Sequence, residues 1–320
     1  MQEVKSRENK STGDNEGAGR GRKAEIPREI PKPGWKEVLL RVKREQSRDN
    51  LSILAAGVAF FTLLALFPAL AALVAIYGMV SDPGHVQQQL ADVQDFMPQE
   101  AFQIIDGQLR SLVAQPEGAL GLGALVALLL ALWSAAKGMK AMITALNVVY
   151  EEEETRGFLK LNGVAILMTA GTLIFAVIAL SLIVGLPAFS GTLGLPEALR
   201  NVIGLARWPV LALLIMGAMS FLYRMAPDRR RPRWRWVTWG GVAGTVLWIV
   251  ASYLFSFYVA RFGRFNATYG SLGAVVILLM WLQITAYVIL LGAEFNAEME
   301  RQTRKGTTAG GRRPMGEREA

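Results

Sequence analysis

The apolar residues of this chain come in long blocks rather than as a stripe repeated at helical spacing. Six blocks carry little or no charge, over about 51–80, 119–136, 161–186, 202–223, 237–260 and 271–293. At roughly 1.5 Å of rise per residue, blocks of this length suit a hydrocarbon layer of about 30 Å. The pattern predicts an all-α polytopic membrane protein with six transmembrane helices in a domain over 51–300. The first block is longer than one crossing needs, so it must tilt, protrude or bend, and Pro68 is the expected kink because it removes a backbone donor. Small residues punctuate the blocks: Ala55, Ala59, Ala65, Ala69 and Ala72 in the first, Ala124, Ala127, Ala131 and Ala135 in the second, and Gly240 with Gly244 in the fifth. Such positions let neighbouring helices approach closely.

Outside the blocks the periodicity changes. Trp35, Val38, Leu39 and Val42 fall at i, i+3, i+4 and i+7, among Lys36, Arg41, Lys43 and Arg44. This spacing predicts a short basic amphipathic helix over 34–50, suited to lying in the membrane interface. Between the first two blocks, Val86, Leu90, Val93 and Met97 mark one helical face, and Phe102, Ile105, Leu109 and Leu112 mark another after Pro98. Residues 81–118 therefore read as an amphipathic helical hairpin, external because it holds six carboxylates and the single cation Arg110. Residues 1–33 and 301–320 are polar and poor in apolar residues, which predicts disordered tails; no apolar segment of a cleavable signal peptide lies in the first.

Charge fixes an expected orientation. The chain has 34 Lys and Arg against 26 Asp and Glu, a formal net charge of +8. Roughly 29 of those cations lie in segments that would share one side of the membrane, and roughly 5 in segments on the other. Cytoplasmic loops retain Lys and Arg, so both termini, the 137–160 link and the 224–236 link are expected inside. The excess charge then reads as membrane orientation, facing anionic lipid, and no nucleic-acid partner is expected. The arginine-rich stretch from Arg224 to Arg235 reads in the same way as an interfacial anchor, and the run Glu151-Glu152-Glu153-Glu154 as a solvated loop.

Several chemistries are excluded. There is no cysteine and one histidine, His85, so there is no thiolate nucleophile and no His/Cys zinc site. Nucleotide-binding, hydrolase-elbow and metalloprotease motifs are absent. The chain is expected not to be an enzyme and to need no cofactor.

Ionisable residues close to apolar spans are the default places to look for function. Arg207 falls about a turn inside the predicted outer end of the fourth span, seven residues after Arg200. With Arg261 and Arg264 it forms a candidate external cationic rim for an anionic substrate or lipid headgroup, the simpler alternative being arginines that snorkel to phosphates. Asn266 and Tyr269 lie in a polar turn, Asn266-Ala267-Thr268-Tyr269-Gly270-Ser271, that can line a cavity mouth; Asn266-Ala267-Thr268 is also formally a glycosylation sequon. At the predicted inner side, Glu294 and Asn296 end the sixth span while Lys137 and Lys140 end the second. An ion pair of Glu294 with one of these lysines would tie two helices together, and a proton-coupled carboxylate is the other reading.

Certain stretches resemble one family. They are Ala65-Leu66-Phe67-Pro68-Ala69-Leu70, the segment from Trp133 to Asn147 leading to Tyr150 and Glu151, Asn266-Ala267-Thr268-Tyr269-Gly270-Ser271-Leu272-Gly273-Ala274, and Gly292-Ala293-Glu294-Phe295-Asn296-Ala297-Glu298. Over about residues 34 to 302 the chain resembles the YihY/BrkB family of bacterial inner-membrane proteins, formerly labelled virulence factor and ribonuclease BN. The resemblance implies a six-span protein of the inner, or plasma, membrane and carries over no catalytic or binding residue. The nuclease label fits poorly, because metal-dependent RNA hydrolysis needs a ligand cluster and His85 stands alone. A translocator of lipid or another anionic solute is the expected function, with membrane lipids as partners. A structural or interaction protein of the cell envelope is the alternative.

Overall fold

The computed structural model describes residues 29–80, 122–185, 196–229, 234–262 and 271–302. Among them all regular structure is helical: α1 (Lys32–Arg48), α2 (Leu51–Val80), α3 (Leu122–Val149), α4 (Phe158–Leu180), α5 (Glu197–Met225), α6 (Trp234–Phe262) and α7 (Ser271–Arg301). A π-helical turn, Ser181–Gly185, follows α4. Among the described residues five stretches are long and apolar enough to cross a membrane: Leu129–Val149, Phe158–Ile183, Glu197–Met225, Thr238–Val259 and Val275–Arg301. A sixth is added when α1 and the start of α2 are counted as one span bent by 62°. The bend falls at Asp49–Asn50, where Asn50 takes φ 51°, a left-handed conformation that Asn tolerates better than most residues. Pro68, the kink expected from the sequence, lies inside α2. The expected external hairpin over 81–118 and most of both tails lie outside the described residues; of the segments expected to be disordered, Ile30 is buried and α1 starts at Lys32, while α7 runs through Arg301 and Gln302 is buried.

The outer faces of the long helices are apolar. Leu205 is 74% exposed and Tyr253 72%. Lipid takes up such surface, since water-soluble monomers rarely expose large contiguous apolar patches.

The chain divides into two compact units. One comprises Phe60–Ala141 and Gly157–Ile178. Here Gly138 lets α3 approach α2: a methyl group at that position would lie 3.2 Å from the Cα of Thr62. The rings of Trp133 and Phe158 are 6.2 Å apart, and the Lys140 ammonium sits 5.2 Å over the Trp133 ring. Within α4, Thr169 and Thr172 donate to the carbonyls of Ala165 and Met168 at 2.8 and 2.9 Å, which satisfies hydroxyls that lipid would leave unpaired.

The other unit holds Met1–Ala59, Met142–Arg156 and Ala179–Ala320. Its centre is the packing of α5, α6 and α7. A Cβ on Gly292 would lie 2.5 Å from the Tyr223 hydroxyl and 3.0 Å from the Gly244 Cα, and one on Gly240 would lie 2.9 Å from the Gly292 carbonyl oxygen. The glycine pair anticipated in the fifth span therefore faces α7. The Tyr223 side chain fills the remaining space and donates from its hydroxyl to the Ile289 carbonyl at 2.8 Å. Further along, Trp248 Nε1 donates to Thr285 Oγ1 at 3.2 Å.

Helix α1 packs on α7 as well. Val38 and Val42 are buried with Ile30 and Met299, and Trp35, Leu291 and Phe295 close the cluster. Trp35 stacks on Phe295 with centroids 5.9 Å apart, and Tyr287 donates to Gln46 at 2.7 Å. Three of the four residues expected to face lipid thus face protein, while Leu39 is 58% exposed. The apolar stripe is real, but an amphipathic pattern does not distinguish a bilayer from the apolar flank of another helix.

Substituting Gly292 tests the close approach. Gly292→Ala should lower stability in detergent by about 1–3 kcal/mol through overpacking. Gly217→Ala, on α5 with nothing within 4 Å, should cost nothing and gain helix propensity. Thermal unfolding of the purified variants measures both.

Candidate functional site

The last two turns of α7 carry Glu294, Asn296, Glu298 and Glu300, followed by Arg301 and Gln302. Helical geometry turns about 100° per residue, so positions two apart lie about 200° apart. Glu294, Glu298 and Arg301 therefore share one face, while Asn296 and Glu300 share the opposite one. All four of Glu294, Asn296, Glu298 and Glu300 are buried. Polar groups hidden on two faces need partners on two sides, and the chain supplies most of them.

On the first face, Arg41 of α1 pairs through Nε with Glu298, and its Nη2 donates to Gln302 Oε1 at 2.5 Å. Arg301 Nη1 lies 2.5 Å from the other Glu298 oxygen, and its Nη2 lies 3.1 Å from Glu151. Gln302 Nε2 reaches Glu37 at 3.3 Å. On the second face, Asn296 Nδ2 donates to the Tyr150 hydroxyl at 3.0 Å, and Glu300 pairs with Arg229. The Arg229 guanidinium stacks over the Tyr150 ring at 4.2 Å. Burial holds the Tyr150 phenol well above its ordinary range, with Arg229 pulling the other way, so Tyr150 works as a neutral partner.

The link after α3 makes this possible. The helix ends in a Schellman motif: Glu152 N–H donates to the Asn147 carbonyl at 2.9 Å and Glu151 N–H to that of Val148 at 3.0 Å. Glu151, where a glycine is usual, takes φ 53°. The turn then folds back. Asn147 Nδ2 donates to Glu154 at 3.0 Å, and Asn147 Oδ1 accepts from the Asp228 N–H at 2.9 Å. Arg156 grips Glu154 with two bonds of 2.7 and 2.6 Å and donates to the Ala226 carbonyl at 2.8 Å. Those bonds, against the opposing effect of burial, hold Glu154 below its usual carboxylate range. The glutamate run is thus tied into the assembly through Glu151 and Glu154 while Glu151, Glu153 and Glu154 stay exposed to solvent, and Arg229 is an internal partner rather than an interfacial anchor.

Two groups stand apart from this pairing. Glu294 is 0% exposed, yet neither carboxylate oxygen has a hydrogen-bond partner among the described residues. The ion pair expected from the sequence is not what Glu294 makes: Lys140 lies over aromatic rings and Lys137 is exposed. The second is Asp49, at the break between α1 and α2. Burial first, and then the neighbouring Glu45 carboxylate, push its acid up to about 6, against the opposing charges of Arg301 and Arg48.

Of the expected external rim, Arg200 and Arg261 are exposed, and Arg261 stacks on Phe257 at 5.3 Å. Arg207 is half-buried. It donates from Nη1 to the Ile183 carbonyl in the π turn at 3.3 Å, lies 5.2 Å over the Trp208 ring, and keeps a buried Nε with no partner. Arg264, Asn266 and Tyr269 lie outside the described residues. Sequence reasoning missed Arg41, Arg156, Arg229, Arg301 and Tyr150. The available signal was the alternation of polar residues from Glu294 to Gln302, which no single-faced helix would carry. Among the described residues no group of three His, Asp or Glu is placed to hold a metal ion.

Two substitutions test the assembly. Arg229→Met should cost about 3–5 kcal/mol by taking from the buried Glu300 the guanidinium it pairs with, and adding Glu300→Met should recover much of the loss; unfolding of the single and double variants in detergent reads the coupling. Asp49 has a raised acid in the folded chain, so its stabilising contribution is complete below about 3.8 and is lost as pH rises through about 6. Asp49→Asn should accordingly melt higher than the parent at pH 8, with the difference shrinking towards pH 4.

Comparison with known proteins agrees with this picture. The profile of the family described as Virulence factor BrkB matches residues 42–315. A Bacillus subtilis (strain 168) protein named ribonuclease-like YfkH is 31% identical over 256 residues, which cover 78% of this chain and 90% of that one. A UPF0761 membrane protein of Alkalilimnicola ehrlichii is 30% identical over 288 residues, 87% of this chain and 62% of its own length. One from Photobacterium profundum is 26% identical, covering 82% and 80%. No solved structure matches. The matched region takes in both the apolar helices and the charged end of α7, and the chain belongs to the BrkB family of multi-pass membrane proteins.

Proposed function

We propose that this protein is a translocator of lipid or another anionic solute in the bacterial inner membrane, with both termini cytoplasmic and no catalytic chemistry of its own. The observation that carries the reading is Arg207. It is a fixed cation on an apolar helix, about 24 Å of helical rise from Tyr223. One nitrogen is anchored on the carbonyl of a π turn and another is buried without a partner. A π turn in a helix often marks a functional position, because it frees backbone carbonyls from their usual donors. An arginine that only snorkelled would turn its donors to water and phosphate. Arg207 keeps an unmet donor beside Trp208, where an anionic headgroup could complete it.

The positive charge of the chain also fits this reading better than nucleic-acid binding. Arg41, Arg156, Arg229 and Arg301 are taken up by Glu298, Glu154, Glu300 and Glu151 within the protein. These cations are therefore not part of a free basic surface such as a phosphate backbone needs.

The test is flux from vesicles. Full-length protein reconstituted with headgroup-labelled phosphatidylglycerol, or with an entrapped organic anion, should move one of them faster than empty vesicles. Arg207→Gln should slow that movement about tenfold or more, equivalent to about 1.4 kcal/mol of lost interaction. Arg200→Gln should leave it near the parent rate. Parent protein that moves neither probe overturns the proposal.

A further inference from the structure

Glu294 has no structural employment in the assembly around it. Its neighbours Glu298 and Glu300 each hold an arginine, whereas both of its own oxygens are fully buried without a donor. A buried carboxylate in that condition costs several kcal/mol unless a proton or another ligand visits it. The charges that face it are Arg301 and Glu298 on its own helix, and Asp49 and Glu45 from α1 and its end. Three carboxylates and one arginine, already engaged by Glu298 and Glu151, surround the site. It lacks the ligand grouping for a metal ion among the described residues, which leaves the proton as the cation of matching chemistry.

We infer that Glu294 and Asp49 form a proton-binding site at the break between α1 and α2, and that the proton is the coupling ion of the translocation proposed above. The inference rests on that reading for the coupling, but not for the site. Asp49 is half-buried and Glu294 fully buried, so Asp49 is the station nearer water. A proton passes from water to the Asp49 carboxylate and on to Glu294, with only O–H bonds made and broken, and returns by the same route. The 62° bend beside Asp49 supplies the joint. Motion of α1 about Asn50 would change how far Asp49 stands from α7, to which Arg41, Gln46, the Trp35 ring and the cluster of Val38 and Val42 tie α1. Charge on either carboxylate is offset by Arg301, and for Asp49 also by Arg48, while Glu45 and Glu151 repel it. One proton therefore alters the whole set.

Two measurements separate the site from the transport. Acid-minus-neutral infrared difference spectra of the full-length purified chain should contain a protonated-carboxyl band that Glu294→Gln removes. Glu294→Asp should keep the band with a shifted midpoint, and Asp49→Asn should keep it and move the midpoint too. Melting and elution like the parent certify that each variant is folded. A band unchanged in folded Glu294→Gln overturns the site. In vesicles, an imposed pH gradient should speed the parent's movement of labelled phosphatidylglycerol or the organic anion, and Glu294→Gln should lose that response. Gradient-independent movement by the parent overturns the coupling. A parent that moves neither probe yet loses its band in Glu294→Gln sinks the translocator reading and supports the proton site.

Discussion

The end of α7 must hide polar side chains on two opposite faces, and much of the connectivity of the unit that contains α5, α6 and α7 answers that need. A helix that buried one polar face could satisfy it with a single neighbour. Here Glu298 and Arg301 look one way and Asn296 and Glu300 the other, so one neighbour is insufficient. Helix α1 brings Arg41 to the first face. The link after α3 brings Tyr150 and Glu151, and the link after α5 brings Arg229. Segments distant in sequence are thereby drawn to one place. The Schellman turn at Glu151 and the grip of Arg156 on Glu154 and the Ala226 carbonyl fix the approach of those links. Buried ion pairs add little net stability in themselves, because desolvation offsets their attraction. Their effect is on specificity: removing one member strands the other, so the arrangement has few alternatives.

The apolar packing just above this end sets the register. Gly292 lies one position before Ala293 and two before Glu294, and its missing side chain lets α6 come to van der Waals contact through Gly244. Tyr223 occupies what space is left and is tied to Ile289. With α5, α6 and α7 locked at that level, Asn296 meets both Gly240 and Tyr150. A shift of α7 by one residue would turn Glu298 and Glu300 away from their arginines, so the glycine contact and the ion pairs constrain the same degree of freedom.

What could be read from the sequence follows from where each signal is stored. The block from 51 to 80 and the start of the block at 271 coincide with helix bounds, because long apolar runs between polar segments leave little choice of element. The close-packing role of Gly240 and Gly244 was also legible from spacing. Partner identity was not. Val38 and Val42 have the same spacing whether they meet lipid or Met299. Arg229 looks like any other member of an arginine run until Glu300, 71 positions away, is brought beside it. The four glutamates from 151 to 154 read as a solvated run because their partners Arg301, Asn147 and Arg156 are set by a turn whose left-handed residue is a glutamate rather than a glycine. The charge sorting across the spans is blind to such pairing, since a cation counts equally whether it faces lipid or a carboxylate.

Among the described residues, Glu294 and Arg207 both keep buried polar atoms without a partner, and they differ in kind. Arg207 lies ten residues into α5 and is half-buried, which leaves it the accessibility that the proposed anion contact needs. Glu294 is sealed among groups that are already matched, and only a ligand as small as a proton can reach it without dismantling them. The element beside it is also the one most simply moved. Helix α1 joins α2 through two non-helical residues, and it is held to α7 by the Val38, Val42 and Met299 cluster together with a few polar ties. The arginine that buries Glu298 and the bend that positions Asp49 belong to the same short segment. Any displacement of α1 that exposes Glu298 therefore also changes the surroundings of Glu294, and a change of charge at Glu294 acts back on the docking of α1.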